Sequence, residues 1–278
     1  MSRVTPGDIR AMKRRGERIP MLTCYDCPTA RILEAAGIPL ILVGDSVGTA
    51  VLGYETTVPV TVDDIVHHTQ AVIRGNARAL IVADMPFMSY HPSQEDALRT
   101  AARLIQQGGA QAVKLEGGAV VADTVRRLVE CGIPVQGHLG LTPQSVFQLG
   151  GYRLQGRGET AAQRILEEAR QLEQAGAFSL VLELIPAPLA RTVSQTLTIP
   201  TIGIGAGPYC DGQVQVIWDL LGMDPEFKAR HVRRYANLAE VIRGAVDGYA
   251  GDVRDGAFPG PAESFGLEPA VVAASAEG

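Results

Sequence analysis

The sequence repeats one structural unit along most of its length. In each copy a helical pattern ends at a glycine, and a short run rich in β-branched residues and leucine follows and closes on a polar residue. Gly37, for example, precedes the apolar run 40–43 and then Gly44-Asp45-Ser46. Glycine commonly ends a helix because it adopts the left-handed conformation without steric cost. At least six copies can be recognised, so helices and strands alternate along the chain.

The strands of such a chain are expected to pair in parallel, because a crossover between neighbouring strands needs room for a helix. The further copies have their predicted strands at 79–83, 112–115, 134–137, 178–182 and 200–204. An early run at 19–23 and a weaker late run at 229–232 bring the number of strands to about eight, which closes a barrel. We therefore predict an α/β fold, a single (β/α)8 TIM-type barrel, with an open doubly wound sheet as the alternative.

The barrel is predicted to occupy residues 1–265, including a short N-terminal helix that begins at Thr5-Pro6. No linker rich in proline and serine divides this segment, and residues 266–278 have the Gly/Pro/Ala/Glu-rich composition of a loose C-terminal tail. The leading helix carries Ile9 and Met12, which we interpret as an apolar contact for a second copy of the chain.

Charge and apolar content exclude several classes of partner. The 25 Lys and Arg against 30 Asp and Glu give a net charge of −5, which argues against nucleic acid. The longest apolar run, 38–43, is far shorter than the roughly 20 residues that span a bilayer. Four scattered cysteines do not form a disulfide framework, and the single CxxC, Cys24 and Cys27, lacks a second pair for zinc. We expect a cytoplasmic protein that binds small molecules.

Polar residues follow five of the predicted strands, at the end where a barrel opens. In a (β/α)8 barrel these strand ends meet on one face, so side chains far apart in sequence converge. Any one acid at such a position is more often a helix cap than a functional group, but five polar residues at successive strand ends, four of them acids, indicate a site. The five residues are Asp45, Asp84, Glu116, His138 and Glu183.

Two of these acids suggest a metal site. Asp45 and Asp84 follow purely apolar runs, where an isolated carboxylate is costly to bury. Oxygen ligands without nearby cysteine or paired histidine favour Mg²⁺ over Zn²⁺. A loop-stabilising role for both acids is the alternative.

Lys114 is one of only three lysines, and it lies inside an apolar strand. It alternates with Val113 and Leu115, so it shares the inner face of the strand with Glu116. Three interpretations stay open: an ion pair in the core, a fixed cation beside developing negative charge, or a Schiff-base amine.

With these residues identified, the sequence closely resembles the ketopantoate hydroxymethyltransferase family over roughly residues 5–265. The resemblance is carried by several specific segments rather than by one short motif. They are Leu42-Val43-Gly44-Asp45-Ser46, Pro59-Val60-Thr61-Val62-Asp63-Asp64, Ala83-Asp84-Met85-Pro86-Phe87, Val113-Lys114-Leu115-Glu116-Gly117-Gly118, Gly137-His138-Leu139-Gly140-Leu141-Thr142-Pro143-Gln144-Ser145, Gly203-Ile204-Gly205-Ala206-Gly207 and Cys210-Asp211-Gly212-Gln213.

The resemblance implies transfer of a hydroxymethyl group from 5,10-methylenetetrahydrofolate to 3-methyl-2-oxobutanoate, which gives 2-dehydropantoate on the route to pantothenate and coenzyme A. It implies one Mg²⁺ per subunit, with folate as cosubstrate, and a homo-oligomer larger than a dimer, as in a decamer. Its implied metal ligands are Asp45, Asp84 and, often through water, Glu116. Its implied keto acid contacts are Asp45, Ser46, Asp84 and Lys114. Glu183 is the implied proton acceptor, and His138 is a candidate supporting residue.

Two competing functions remain at this stage. The first is a Mg²⁺-dependent carbon-carbon lyase of the isocitrate lyase type, although the segment after Glu116 reads Gly117-Gly118-Ala119-Val120 and lacks the Lys-Cys-Gly-His character of such lyases. The second is a non-catalytic metabolite-binding barrel that retains the metal site.

Overall fold

The computed structural model describes residues 2–265 and has eight parallel strands that close into a barrel in sequence order. Each strand pairs with the next along the chain, and the last pairs with the first. The strands are β1 (Ile19–Thr23), β2 (Leu40–Val43), β3 (Leu80–Asp84), β4 (Ala112–Glu116), β5 (Val135–Gly140), β6 (Ser179–Glu183), β7 (Thr201–Ile204) and β8 (Gly212–Gln215). The predicted (β/α)8 barrel is confirmed, whereas the predicted tail, 266–278, lies outside the described residues.

The helices are α1 (Pro6–Arg14), α2 (Cys27–Ala35), α3 (Val47–Ala50), α4 (Val62–Gly75), α5 (Gln94–Gln106), α6 (Ala122–Glu130), α7 (Val146–Leu149), α8 (Glu159–Gln174), α9 (Ala187–Thr196), α10 (Ile217–Leu221) and α11 (Leu238–Arg254). Among them, α4, α5, α6, α8 and α9 pack against the strands and cover the outside of the barrel there. Within residues 2–265, every helix is too short or too polar to span a bilayer.

The prediction of the eighth strand at 229–232 is wrong. These residues form a turn, and β8 lies earlier. The sequence of β8 is Gly-Gln-Val-Gln, so it lacks the continuous apolar run that marks β2 and β3. Its position is fixed by backbone pairing with β1 and β7, which a search for apolar runs does not detect.

The glycines before the strands mostly behave as predicted. Four of them have left-handed backbone: Gly37, Gly109, Gly132 and Gly176. Gly75 differs, because it lies inside the last turn of α4 and is needed for close packing. A Cβ there would lie 2.3 Å from the backbone oxygen of Cys27 at the start of α2.

Two apolar cores hold the barrel. One fills the space between strands and helices, and the other fills the barrel interior. Ile9 of α1 belongs to the interior core and is fully buried, so α1 closes the end of the barrel opposite the site. Lys13 fastens this helix through an ion pair of 2.9 Å with Asp211. The prediction that Ile9 provides a contact for a second copy is therefore wrong.

A face of exposed apolar residues lies instead on α11, which has no buried residue. Ile242, Val246, Tyr249 and Val253 are 40%, 57%, 59% and 46% exposed, and their spacing of four, three and four residues places them on one face of the helix. On the outer side of β1 and β8, a cavity of about 1090 Å³ is left uncovered.

Candidate active site

All seven residues that the sequence singles out line one cavity of about 450 Å³ at the carboxyl ends of the strands. They are Asp45, Ser46, Asp84, Lys114, Glu116, His138 and Glu183. The strand register explains their meeting: Asp84 is the Cα partner of Lys114, and Glu116 is the partner of His138. Neighbouring strands therefore carry these side chains into the barrel side by side. The convergence expected from the fold is present.

The first half of the site is an ion pair with a second acid beside it. Lys114 Nζ lies 3.0 Å from Asp84 Oδ1, and both side chains are at most 5% exposed. The backbone N–H of Asp45 donates to Asp84 Oδ2 at 2.9 Å. Burial, followed by repulsion from Asp84 and Glu116, raises the pKa of Asp45 well above its usual range. Burial also raises the pKa of Asp84, although the Lys114 charge opposes the rise.

The neighbouring carboxylates keep the side chain of Lys114 in its cationic form. Burial lowers its pKa, but the charges of Asp84, Glu116 and Asp45 outweigh burial and raise the pKa of Lys114 above its usual value. A lysine that forms a Schiff base must lose its proton first, so the raised pKa disfavours that interpretation and leaves the core ion pair and the fixed charge open.

The second half of the site is a row of two acids with His138 between them. Its Nδ1 lies 3.4 Å from Glu116 Oε1, and its Nε2 lies 3.2 Å from Glu183 Oε2. Burial and the Lys114 charge lower the pKa of His138, but the two carboxylates outweigh them and raise it to about 9. Glu183 is 15% exposed, whereas Glu116 and His138 are 3% exposed. Of this row, Glu183 therefore reaches furthest into the cavity.

Sequence reasoning missed three residues that hold these side chains in place. The hydroxyl of Tyr25 lies 2.9 Å from Ser46 Oγ. Gln144 contacts Asp45 and Glu116, and Tyr90 lies behind Gln144. Gln144 falls within one of the segments that carry the family resemblance, but only the fold brings it next to Glu116 at the end of β4 and Asp45 after β2.

The donor atoms suit a hard cation such as Mg²⁺. Asp45, Asp84 and Glu116 are buried carboxylates, and Glu116 Oε1 makes no hydrogen bond within residues 2–265. Lys114 and His138 supply at most two positive charges against four acids, so a divalent cation would balance the charge. In the part of the chain that the structure describes, no three His, Cys, Asp or Glu side chains form a ready ligand cluster. A cation here would complete its coordination with water or substrate oxygens.

The fold and this site define a (β/α)8-barrel enzyme that acts on a small molecule at the carboxyl ends of its strands. A family model described as ketopantoate hydroxymethyltransferase matches residues 3–261. The chain belongs to the ketopantoate hydroxymethyltransferase family, and it is an enzyme of the transferase class.

Curated relatives carry the same assignment. The 3-methyl-2-oxobutanoate hydroxymethyltransferase of Dehalococcoides mccartyi is 56% identical over 270 residues, which cover 97% of this chain and 96% of the relative. The protein of the same name from Heliobacterium modesticaldum is 54% identical over 266 residues, with 96% of both chains covered.

Solved structures with lower sequence identity share the fold. A phosphonopyruvate hydrolase is 13% identical, with a TM-score of 0.61, and the superposition covers 95% of this chain and 93% of the hydrolase chain. A 2,3-dimethylmalate lyase is 15% identical, with a TM-score of 0.58, and the superposition covers 98% of this chain and 93% of the lyase chain. The barrel is therefore similar to those of a hydrolase and a lyase, whereas the close sequence relatives are transferases.

Proposed function

We propose that this enzyme transfers a hydroxymethyl group from 5,10-methylenetetrahydrofolate to 3-methyl-2-oxobutanoate. The products are 2-dehydropantoate and tetrahydrofolate, with water supplying the hydroxyl oxygen, and the reaction is the first committed step of pantothenate biosynthesis. The observation that carries the proposal is that one cavity is lined by Glu183, by the buried cation of Lys114 and by three further acids. That arrangement suits removal of a proton next to a ketone.

The proposed metal is Mg²⁺, which Asp45 and Asp84 would hold directly and Glu116 would hold through water. The buried oxygen donors and their surplus of negative charge support this assignment. When bound, Mg²⁺ supplies Lewis-acid stabilisation of the negative charge that develops on the keto oxygen.

The keto acid is proposed to contact Asp45, Ser46, Asp84 and Lys114. Tyr25 fixes the hydroxyl of Ser46, and Asp84 fixes the ammonium of Lys114. Lys114 then stabilises the enolate oxygen as a preorganised charge in a buried position.

Glu183 is the proposed base that removes the proton from C3, and His138 orients it. The contact with His138 Nε2 limits the positions of the Glu183 carboxylate. The enolate carbon then attacks the one-carbon unit of the folate. Leu42, Val181 and Val214 line the same cavity and offer an apolar surface for the branched side chain of the substrate.

The proposal is tested by turnover with both substrates. Purified protein, Mg²⁺, 5,10-methylenetetrahydrofolate and 3-methyl-2-oxobutanoate should yield 2-dehydropantoate, measured by mass spectrometry. Omission of the folate should abolish the product. A protein that binds the keto acid but gives no product would support the non-catalytic barrel instead.

Lys114 is expected to act without covalent attachment to the substrate. Treatment with borohydride in the presence of the keto acid should leave activity unchanged, because the ion-paired ammonium is not nucleophilic. Peptide mass spectrometry should show no added mass, and the presence of only three lysines makes the site of any adduct unambiguous. Inactivation with the substrate mass at Lys114 would contradict this role and indicate a Schiff-base mechanism.

A homo-oligomer larger than a dimer is also expected. The exposed apolar face of α11 and the uncovered outer side of β1 and β8 support it, because apolar surface of this kind is normally covered. Light scattering should give several subunits for the unmodified chain, and Val246→Asp should yield smaller species. Ile32→Asp is the control, since Ile32 is 67% exposed but lies on α2 and not on the apolar face of α11. A monomeric unmodified chain would contradict the expectation.

A further inference from the structure

Gln144 occupies an unusual position between two of the site's acids. It lies in the short turn Pro143–Ser145 after β5 and is 5% exposed. Its side-chain Nε2 donates to Asp45 Oδ2 at 2.8 Å and to the backbone oxygen of Met85 at 3.0 Å. Its backbone N–H donates to Glu116 Oε2 at 3.0 Å. One residue therefore holds a carboxylate oxygen of each acid.

The orientation of the Gln144 amide is fixed from behind by Tyr90, which is 1% exposed. The Tyr90 hydroxyl lies 2.8 Å from Gln144 Oε1 and donates to it, while the Tyr90 oxygen accepts the backbone N–H of Glu116 at 3.1 Å. A flipped amide would place its oxygen about as close to the carbonyl oxygen of Met85, which has no hydrogen to donate. The N–H groups of Gln144 must therefore point at Asp45.

This contact leaves a defined part of Asp45 free. Gln144 occupies Oδ2, and no hydrogen bond among residues 2–265 involves Oδ1. Gln144 is neutral, so it satisfies a buried carboxylate without cancelling the charge that attracts a cation. A lysine or arginine in its place would add a further positive charge and reduce the surplus of negative charge that attracts the cation.

We propose that Gln144, oriented by Tyr90, is a positioning residue that sets the spacing and orientation of Asp45 and Glu116 for binding of the divalent cation. The inference rests on the proposed function, because that function assigns both acids to the metal. Groups that orient metal ligands commonly change metal affinity 10- to 100-fold when they are removed.

The test is the binding of Mn²⁺, a paramagnetic substitute for Mg²⁺, to metal-free protein by electron paramagnetic resonance. Gln144→Met keeps the length of the side chain but removes its donors, and should weaken Mn²⁺ binding about 10- to 100-fold. Gln136→Met is the matched control. Gln136 is fully buried on β5 and donates to Ser179 Oγ, but it does not line the cavity. Gln136→Met should lower the melting temperature and leave the Mn²⁺ affinity within about twofold of that of the unmodified protein.

Tyr90→Phe is the second variant and keeps Gln144 in place. It should weaken Mn²⁺ binding by less than Gln144→Met does, and it decides the question if Gln144→Met does not fold. If Gln144→Met folds and its Mn²⁺ affinity is unchanged, the positioning role is overturned. If Gln144→Met does not fold, an unchanged Mn²⁺ affinity in Tyr90→Phe overturns it instead. Either result leaves the proposed function standing. Failure of the unmodified chain to bind Mn²⁺ overturns the metal site of the proposed function, and the positioning role with it.

Discussion

Replacing Glu183 by Gln is expected to reduce both turnover and proton exchange at C3 of the keto acid by about 10²-fold or more, the usual range for loss of a general base. The amide has the shape of the carboxylate and can keep the contact with His138, but it cannot accept the proton. Metal and keto acid affinity should be retained, because the proposed metal ligands and keto acid contacts do not include Glu183. Steady-state kinetics and proton NMR in D₂O measure the two rates.

Glu167→Gln serves as the control for Glu183→Gln. Glu167 lies on α8 with its side chain 54% exposed, and its neutralisation should change neither rate. If the Glu183→Gln protein exchanged the C3 proton at the unmodified rate, Glu183 would not be the base. Glu116 and His138 would then be tested in the same way.

Replacing Asp84 by Ala is expected to abolish binding of both the metal and the keto acid, and with it the activity. Asp84 pairs with Lys114 and accepts the backbone N–H of Asp45, so its removal disturbs both neighbours. Leaving Lys114 buried without this partner should also cost about 3 to 5 kcal/mol in the free energy of unfolding. Calorimetric titration with Mg²⁺ and keto acid, together with thermal unfolding, measures these effects.

Asp84→Asn separates binding from stability, because the amide oxygen can still accept the N–H of Asp45 while the charge is lost. It should unfold closer to the unmodified temperature but bind metal as weakly as Asp84→Ala does. Asp123→Asn is the surface control, since Asp123 is 80% exposed. Metal affinity unchanged in Asp84→Asn, or full activity after exhaustive chelation, would contradict the role of Asp84.

The barrel and its acids could be predicted because their sequence features are local. A buried parallel strand appears as a continuous apolar run, and the acid that closes it must lie at the barrel mouth. Asp84, Glu116 and Glu183 are each the last residue of such a strand. The eighth strand could not be found in this way, because backbone pairing with its neighbours, rather than apolar content, defines it.

The supporting residues of the site depend on contacts between distant segments. Gln144 and Asp45 are 99 residues apart, and Tyr90 meets Gln144 across 54 residues. Nothing near Gln144 in the sequence indicates an acid partner. The role of Ile9 was mistaken for a related reason: an apolar residue on a short leading helix fits either a partner surface or the end of the barrel, and only the fold decides between them.

Exchange of the C3 proton of 3-methyl-2-oxobutanoate for deuterium, without folate, tests the central claim most directly. It isolates enolisation from transfer and can be followed by proton NMR. We predict that the unmodified protein catalyses exchange with Mg²⁺, that chelation stops it, and that added Mg²⁺ restores it. Absence of exchange in protein that has bound both Mg²⁺ and the keto acid, or exchange that chelation leaves unchanged, would contradict metal-assisted enolisation at this site.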